Sequence, residues 1–307
     1  MTDPDAPRLV LIVNPQSGKG RGALAGAQAE QLLRDAGAQV SVLRGSTAAH
    51  ARSLAEQAVQ QHPDGVVVVG GDGTVTGIAD LLADTGLPVT LVPAGTGDDL
   101  ARALGIPADD ARAAASAALH GRPRRIDLGT IESQGVRRSF LTVAALGFDA
   151  RVSERTNALR HPRGRARYHL ALLIELVRLR PTDFQVQIDD EAGEWRPGTL
   201  LAVGSTSSYG GGMPICIGAE PDDGQLRVVH VASLGRLRLI RLFPLLLRGA
   251  HLARREVTVR QATRVHVSAS DLIVYADGER VGTGECTIGI RPGAVTIMMP
   301  EGRADGI

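Results

Sequence analysis

The chain of 307 residues has only two cysteines, and among its 34 Lys and Arg residues Lys19 is the only lysine. Cys216 and Cys286 are too few for a disulfide framework and fit a reducing compartment. A net charge of +1 gives no global field to attract nucleic acid, so no nucleic-acid partner is expected. No uninterrupted apolar stretch reaches the length of a membrane-crossing helix. The opening Met1-Thr2-Asp3-Pro4-Asp5 is acidic and polar and does not read as a secretory signal. His161, His169 and the other histidines show none of the spacings of metal ligands. No internal repeat or low-complexity linker is evident. The scarcity of lysine reads as base composition. It singles out Lys19, in a glycine-rich loop, as either a phosphate contact or a solvated loop residue.

What the chain does have is one local pattern, three times over. The β-branched run Gly65-Val66-Val67-Val68-Val69 empties into Gly70-Gly71-Asp72-Gly73-Thr74. Leu9-Val10-Leu11-Ile12-Val13 empties into Asn14-Pro15-Gln16-Ser17-Gly18-Lys19-Gly20. Pro88-Val89-Thr90-Leu91-Val92 leads into Pro93-Ala94-Gly95-Thr96-Gly97-Asp98-Asp99. Each is a buried strand, then glycines and hydroxyls, then a helical pattern. Glycines let backbone N–H groups close on phosphate oxygens, a helix N-terminus adds positive potential, and a carboxylate can hold a metal. One such loop alone reads as readily as a tight strand-to-helix turn as it does as a phosphate site. In an open parallel sheet all three emerge at the carboxyl edge, where ligands bind. Neither the dinucleotide nor the P-loop fingerprint fits the glycine spacings, so the phosphate site is of another kind.

From Arg8 to about Arg125 strands alternate with helical patterns over Ala23–Ala36, Ala48–Gln61, Val75–Ala83 and Asp109–Leu119, which predicts βαβ units with helices on both faces. After Ile126-Asp127-Leu128-Gly129 strand-like pieces dominate without regular helices between them, beginning with Phe140–Leu146. The expected organisation is an α/β domain with a parallel sheet over 1–128 and a mostly antiparallel β-sandwich domain over 129–307. Two segments break the β pattern. Residues 151–180 are arginine-rich and end in the apolar helix Tyr168–Val177, and residues 236–255 interleave arginines with leucines. Basic residues on an apolar helix suit an anionic membrane surface; solvated arginines on a core-facing helix are the plainer alternative. Gly210-Gly211-Gly212 is expected to permit a close chain approach.

The three loops in this order, with the late Asp277-Gly278-Glu279, resemble the catalytic family of diacylglycerol kinases, which includes sphingosine kinases and bacterial lipid kinases. The resemblance runs from about Leu9 to Pro300. One departure is Asp98, where the family has Asn. The resemblance implies an NAD-kinase/diacylglycerol-kinase-like first domain, a β-rich lipid-substrate domain, and a last strand returning to the first domain. It implies ATP as co-substrate, held by Asn14, Pro15, Ser17, Gly18, Thr47, Gly70, Gly71, Asp72, Gly73, Thr74, Thr96 and Asp99. It also implies catalytic Mg²⁺ within a network of Asp72, Asp99 and Asp127, direct or through waters. A second, structural magnesium would use Asp223 with carbonyls of Glu220 and Gln225. The general base is Glu279 supported by Asp277, with Asp72 as a competitor.

Each assignment has a plainer counterpart. Thr47 is also a helix cap, Asp99 an N-terminal helix charge, and Asp127 an end-of-strand turn residue. Asp277-Gly278 is also an ordinary hairpin turn, and Pro221–Leu226 a turn before a strand. The expected activity is transfer of the ATP γ-phosphate to a lipid hydroxyl, diacylglycerol first. A sphingoid base, phosphatidylglycerol or a glycolipid is the alternative acceptor. NAD kinase is a more distant relative in fold, and a non-catalytic, membrane-docking nucleotide-binding regulator is the reading of another class. The expected setting is cytoplasmic and peripheral to an anionic membrane, with a homodimer left open.

Overall fold

The computed structural model describes residues 6–45, 48–162 and 165–301. The chain divides into two units, Met1–Leu128 with Pro292–Ile307, and Gly129–Arg291.

In the first unit β1 (Arg8–Val13), α1 (Ser17–Asp35), β2 (Gln39–Arg44), α2 (Ala48–Gln60), β3 (Gly65–Gly70), α3 (Asp72–Leu82), β4 (Val89–Pro93), α4 (Asp99–Ala103) and α5 (Ala111–His120) follow in order. β1 pairs in parallel with both β2 and β3, and β3 pairs with β4, giving the order β4-β3-β1-β2. Ile297, near the chain's end, adds a parallel pairing to Val89. Leu9–Val13 and Val66–Val69 are buried without interruption, as strands must be when helices cover both faces of their sheet. α1 packs with α5, and α2 with α3. Ala29, Leu33, Ala55, Ala58, Ile78 and Leu82 are buried in these layers. Because β1, β3 and β4 are parallel neighbours, the three loops that leave their carboxyl ends are neighbours too.

The chain leaves this unit along β5 (Arg122–Ser133), whose second half pairs antiparallel with β6 (Val136–Phe140). Then come β7 (Val143–Gly147), α6 (Phe148–Ala158), α7 (Arg165–Val177), β8 (Thr182–Ile188), β9 (Glu194–Gly204), β10 (Leu226–Ala232) and α8 (Arg236–Leu247). β11 (Val257–Ala262), β12 (Arg264–Ser268), β13 (Ile273–Ala276), β14 (Glu279–Thr283) and β15 (Cys286–Met299) complete the order. The strands run β14-β13-β7-β9-β8-β12-β15, with β10 on β9 and β11 on β10. β9 shows why the unit has two cores. Leu201 and Val203 join Phe140, Phe184, Val265 and Ile288 on one face. Leu200 and Ala202 join Phe148, Val152, Leu239, Leu242 and Leu246 on the other. This is the two-residue period of a strand buried on both sides.

Three expectations about local structure are corrected. The single strand over Phe140–Leu146 is two, β6 and β7, because the backbone breaks at Leu141-Thr142, whose N–H groups go to the Asp277 carboxylate instead of a ladder. The second unit is not free of regular helices before α7. α6 forms from a largely polar stretch, and its buried Phe148 and Val152, four residues apart, mark the core face. Gly210 and Gly211 are not required by a close approach, since a Cβ at either would meet nothing within 4 Å. They and Gly212 have φ of 64°, 89° and 100°, a left-handed run that glycine tolerates.

Candidate active site

In the first unit the three glycine loops are tied to one another by named bonds. Asn14 Nδ2 donates to Thr74 Oγ1 at 3.2 Å, and Gly71 N donates to Ser17 Oγ at 3.1 Å, joining the first loop to the second. Asp72 accepts from Asp99 N at 3.0 Å and Leu100 N at 3.1 Å, joining the second loop to the start of α4. Arg21 closes the ring. Its guanidinium donates to the Gly95 carbonyl and lies 3.8 Å from Asp98 Oδ2.

Two glycine positions explain how the loops come so close. Gly18 has φ +56°, and a Cβ there would lie 2.2 Å from the Ala94 carbonyl oxygen. Gly71 and Gly95 meet Cα to Cα, so that a Cβ on Gly95 would stand 2.6 Å from the Gly71 Cα. Gly18, Lys19 and Gly20 are all left-handed, with φ of 56°, 63° and 97°, and they interrupt the start of α1. The first loop therefore approaches the third, at Ala94, before the regular helix begins.

Asp98 occupies the position where the family pattern has Asn. It is left-handed, φ 49° and ψ 45°, a conformation that Asn and Asp tolerate better than other residues with a Cβ. One oxygen accepts from Gly95 N at 2.8 Å, as an amide oxygen would. The other faces Arg21, the charge that an Asn would not need. Burial pushes the Asp98 carboxyl above its usual range, opposed by the Gly95 N–H and by Arg21 and Arg102. Arg21 did not stand out in the sequence, where arginine is abundant, and Arg102, which closes the family's Gly-Thr-x-Asn-Asp-x-Ala-Arg pattern at the third loop, had no role assigned to it. Arg102 holds Asp99 Oδ1 at 2.6 Å and the Gly97 carbonyl at 2.9 Å. Beside that pattern, the i, i+3 spacing of Asp99 and Arg102 on a helix signals the pair.

The expected magnesium network is not assembled as a direct ligand set. Asp72 already caps α4 through both oxygens, Asp99 is buried against Arg102, and buried Asp127 accepts from Gly293 N at 2.7 Å. Among the described residues no group of three or more His, Cys, Asp and Glu could hold a metal ion. These carboxylates do not fit a three-carboxylate ligand shell. An ion beside them would draw on phosphate oxygens and waters, as magnesium does at nucleotide sites. Asp223, in the second unit, accepts from Gln225 N at 2.9 Å and lies 3.5 Å from Arg227, while Glu220 is exposed. That is a capped turn with its charge answered by an arginine. Of the remaining cradle residues, Gly70 packs on Thr74, Pro15 is half-buried, and Gly73 and Thr96 are exposed. Thr47 lies outside the described residues.

In the second unit Asp277 and Glu279 have different surroundings. Asp277 Oδ2 accepts from Leu141 N at 2.7 Å, and Oδ1 from Thr142 N at 2.9 Å and from the Thr142 hydroxyl. It fastens the β13–β14 hairpin to the break between β6 and β7. Glu279 begins β14, is exposed, and has no side-chain hydrogen bond or ion pair among the described residues. Tyr275, two residues before Asp277, donates its hydroxyl to Glu154 of α6 at 2.7 Å.

Residues 8–131 match the family model of the diacylglycerol kinase catalytic domain, and residues 142–299 that of the YegS C-terminal NAD kinase beta sandwich-like domain. A diacylglycerol kinase of Mycobacterium tuberculosis (strain ATCC 25618 / H37Rv) is 40% identical over 295 residues, 96% of each protein. A crystal structure of a diacylglycerol kinase from Bacillus anthracis str. Sterne superposes with a TM-score of 0.70 at 19% identity, over 97% of this chain and 98% of that one. An NAD kinase from Archaeoglobus fulgidus in complex with ATP gives 0.53 at 14% identity, over 96% and 94%. The two structures establish a shared fold. The family models and the 40% identical relative show that the chain belongs to the family of diacylglycerol kinases and YegS-like lipid kinases. It is a lipid kinase.

Proposed function

We propose that this lipid kinase transfers the γ-phosphate of ATP to a primary hydroxyl of diacylglycerol, giving phosphatidic acid, at an anionic membrane surface. The observation that carries the donor half is the first unit's cradle, in which three glycine loops from adjacent parallel strands are locked together at the ligand-binding edge of the sheet. Their glycines leave no side chain between backbone N–H groups and an incoming phosphate. The hydroxyls of Ser17 and Thr74 are bound into the loops and keep their shape.

In this reaction the lipid hydroxyl oxygen bonds to the γ-phosphorus as the bond from that phosphorus to the bridging oxygen breaks and ADP leaves. The hydroxyl proton passes to Glu279, whose exposed carboxylate has no other partner among the described residues. Asp277 positions the hairpin, since its lone pairs are already engaged by three donors. A loose transition state lets the proton move late, so Glu279 need not be a strong base. Magnesium accompanies the nucleotide in this scheme and neutralises charge on its phosphates when bound.

Membrane contact is assigned to α7 and α8. On α8, Leu239, Leu242 and Leu246 enter the core while Leu237, Ile240 and Leu247 are 74%, 49% and 53% exposed. Exposed Arg236, Arg238, Arg241 and Arg248 flank that outer stripe. On α7, Leu170, Leu173 and Val177 are likewise exposed. An apolar stripe flanked by arginines matches an interfacial helix lying on anionic lipid. No helix among the described residues is long and apolar enough to cross a membrane.

The test is transfer of labelled γ-phosphate from ATP with Mg²⁺ to diacylglycerol, sphingosine, phosphatidylglycerol or a glycolipid in mixed micelles, with NAD⁺ as a soluble control. Label on diacylglycerol is expected, with a loss on the order of 10²-fold or more for Glu279→Gln. Label on another lipid keeps the chemistry and changes the acceptor. Label confined to NAD⁺, or no transfer to any lipid, refutes the proposal.

A further inference from the structure

The second unit contains a cavity of about 550 Å³ lined by Arg151, Glu154, Arg155, Glu175, Arg178 and Arg180. Its charges do not balance. Glu175 is buried and committed to Arg155, whose Nε lies at 2.8 Å. Glu154 accepts from the Tyr275 hydroxyl at 2.7 Å and lies 3.3 Å from Arg280. Arg180 reaches Asp271 at 3.6 Å, but both side chains are about two-thirds exposed, and such a pair is largely screened by water. Arg151 and Arg178 have no carboxylate within ion-pair distance among the described residues.

Arg151 is the more telling of the two. Its guanidinium donates to Thr182 Oγ1 and to the Arg180 carbonyl, each at 3.0 Å. Those neutral acceptors orient the cation without answering its charge. Burial holds its pKa below the usual arginine range and the neighbouring Arg180 lowers it further, while the more distant carboxylates of Glu175 and Asp271 offset only part of this. A half-buried, oriented guanidinium beside a like charge is costly unless an anion completes it. Guanidinium forks match phosphate oxygens in shape as well as charge. The volume lies within the ~300–1,000 Å³ of small-molecule sites and leaves room for more than a bare phosphate. The helix that supplies Glu175 also carries the exposed Leu170, Leu173 and Val177, so one element offers both a cavity wall and an apolar surface.

We propose that this cavity, built wholly from the second unit, is a binding site for a phosphate ester of glycerophosphate type, with Arg151 and Arg178 as its principal cations. The ester comes either from the headgroup of an anionic phospholipid or from the same group free in solution. Calorimetric titration of the full chain with glycerol 1-phosphate and with inorganic phosphate covers the soluble source. Flotation with phosphatidylcholine vesicles, with and without phosphatidate, covers the lipid one. Arg178→Gln removes an exposed side chain and leaves the fold intact, and Arg151→Gln removes the half-buried cation. Arg137→Gln, on β6, removes an equal charge from an exposed position elsewhere.

Arg178→Gln is expected to weaken binding about tenfold in at least one arm, the loss of one charge-assisted contact. Arg151→Gln should weaken it as much or more, and Arg137→Gln should leave it unchanged. Any phosphate held by the glycine loops persists in every variant and drops out of the comparison. A loss confined to vesicles names the lipid as source, and a loss in the soluble titration names the free ester. Equal affinity in the parent and Arg178→Gln in both arms overturns the proposal. So does an equal loss in Arg137→Gln, or a parent protein that binds in neither arm.

Discussion

Asp72 is the residue at which holding the cradle together and reacting within it can be separated. Its oxygens accept from Asp99 N at 3.0 Å and Leu100 N at 3.1 Å. Those two residues are 4% and 2% exposed, so water does not readily replace the carboxylate. Asp72→Ala orphans both N–H groups, at about 1–3 kcal/mol for each buried group. Discounted for the half-exposure of Asp72 itself, the sum is about 3 kcal/mol. Asp72→Asn keeps one accepting oxygen and turns an NH₂ against the other donor, for roughly half that loss. In a chain of this size each kcal/mol moves the melting temperature by about 2–4 °C. The expected falls are therefore about 6–12 °C for Asp72→Ala and about 3–6 °C for Asp72→Asn.

Thermal melting followed by circular dichroism reads these shifts, with turnover per folded molecule measured well below the transition. An Asp72→Ala protein that melts within about 1 °C of the parent would show that the carboxylate does not cap α4. Turnover gives the second answer. If Asp72→Asn retains turnover within about twofold, the residue acts by position alone. A fall on the order of 10²-fold in the folded variant brings its charge into the phosphoryl transfer.

Two further outcomes follow from the geometry. Gly71→Val places a Cβ 2.9 Å from the Gly95 Cα and must part the second and third loops, so turnover should fall on the order of 10²-fold; parental activity in the transfer assay would mean that the loops do not touch in solution. Asp149 is fully buried at the start of α6, and burial pushes its carboxyl up from 3.8 to about 6, only partly opposed by the Tyr209 hydroxyl. A raised carboxyl is a charge that the folded state disfavours above that pH. Asp149→Asn should therefore stabilise the protein by about 3 kcal/mol at pH 7.5, and the gain should fade as pH drops from about 6 toward 3.8. Denaturant melts at pH 7.5 and pH 4 check this, and a gain that does not change with pH would refute it.

The parallel unit was legible in the sequence because Leu9–Val13 and Val66–Val69 are continuous apolar runs, Val89–Val92 is interrupted only by Thr90, and all three end in glycine loops. Their order along the chain implied a common edge. α6 was not legible, since its buried residues Phe148, Asp149, Ala150 and Val152 include only two large apolar side chains among polar residues. The break between β6 and β7 was also hidden. Leu141 and Thr142 read as strand, and only the arrival of Asp277, more than a hundred residues later, gives their N–H groups another acceptor. Among the carboxylates, residue type and spacing could not distinguish Asp277 from Glu279. The difference is which donors reach each one.

By itself the sequence determined the succession of strand, glycine loop and helix, and the family, because these depend on local periodicity and on residues close together in the chain. Tertiary structure decided which charges are spent. Asp72 is a cap, Asp277 a fastener and Asp98 half of a pair with Arg21, whereas Glu279, Arg151 and Arg178 have no opposite charge in contact among the described residues. The physical reason is that a side chain's charge and hydrogen-bonding capacity are satisfied by whatever folding brings within about 3 Å of it, and in this chain those partners come from distant segments.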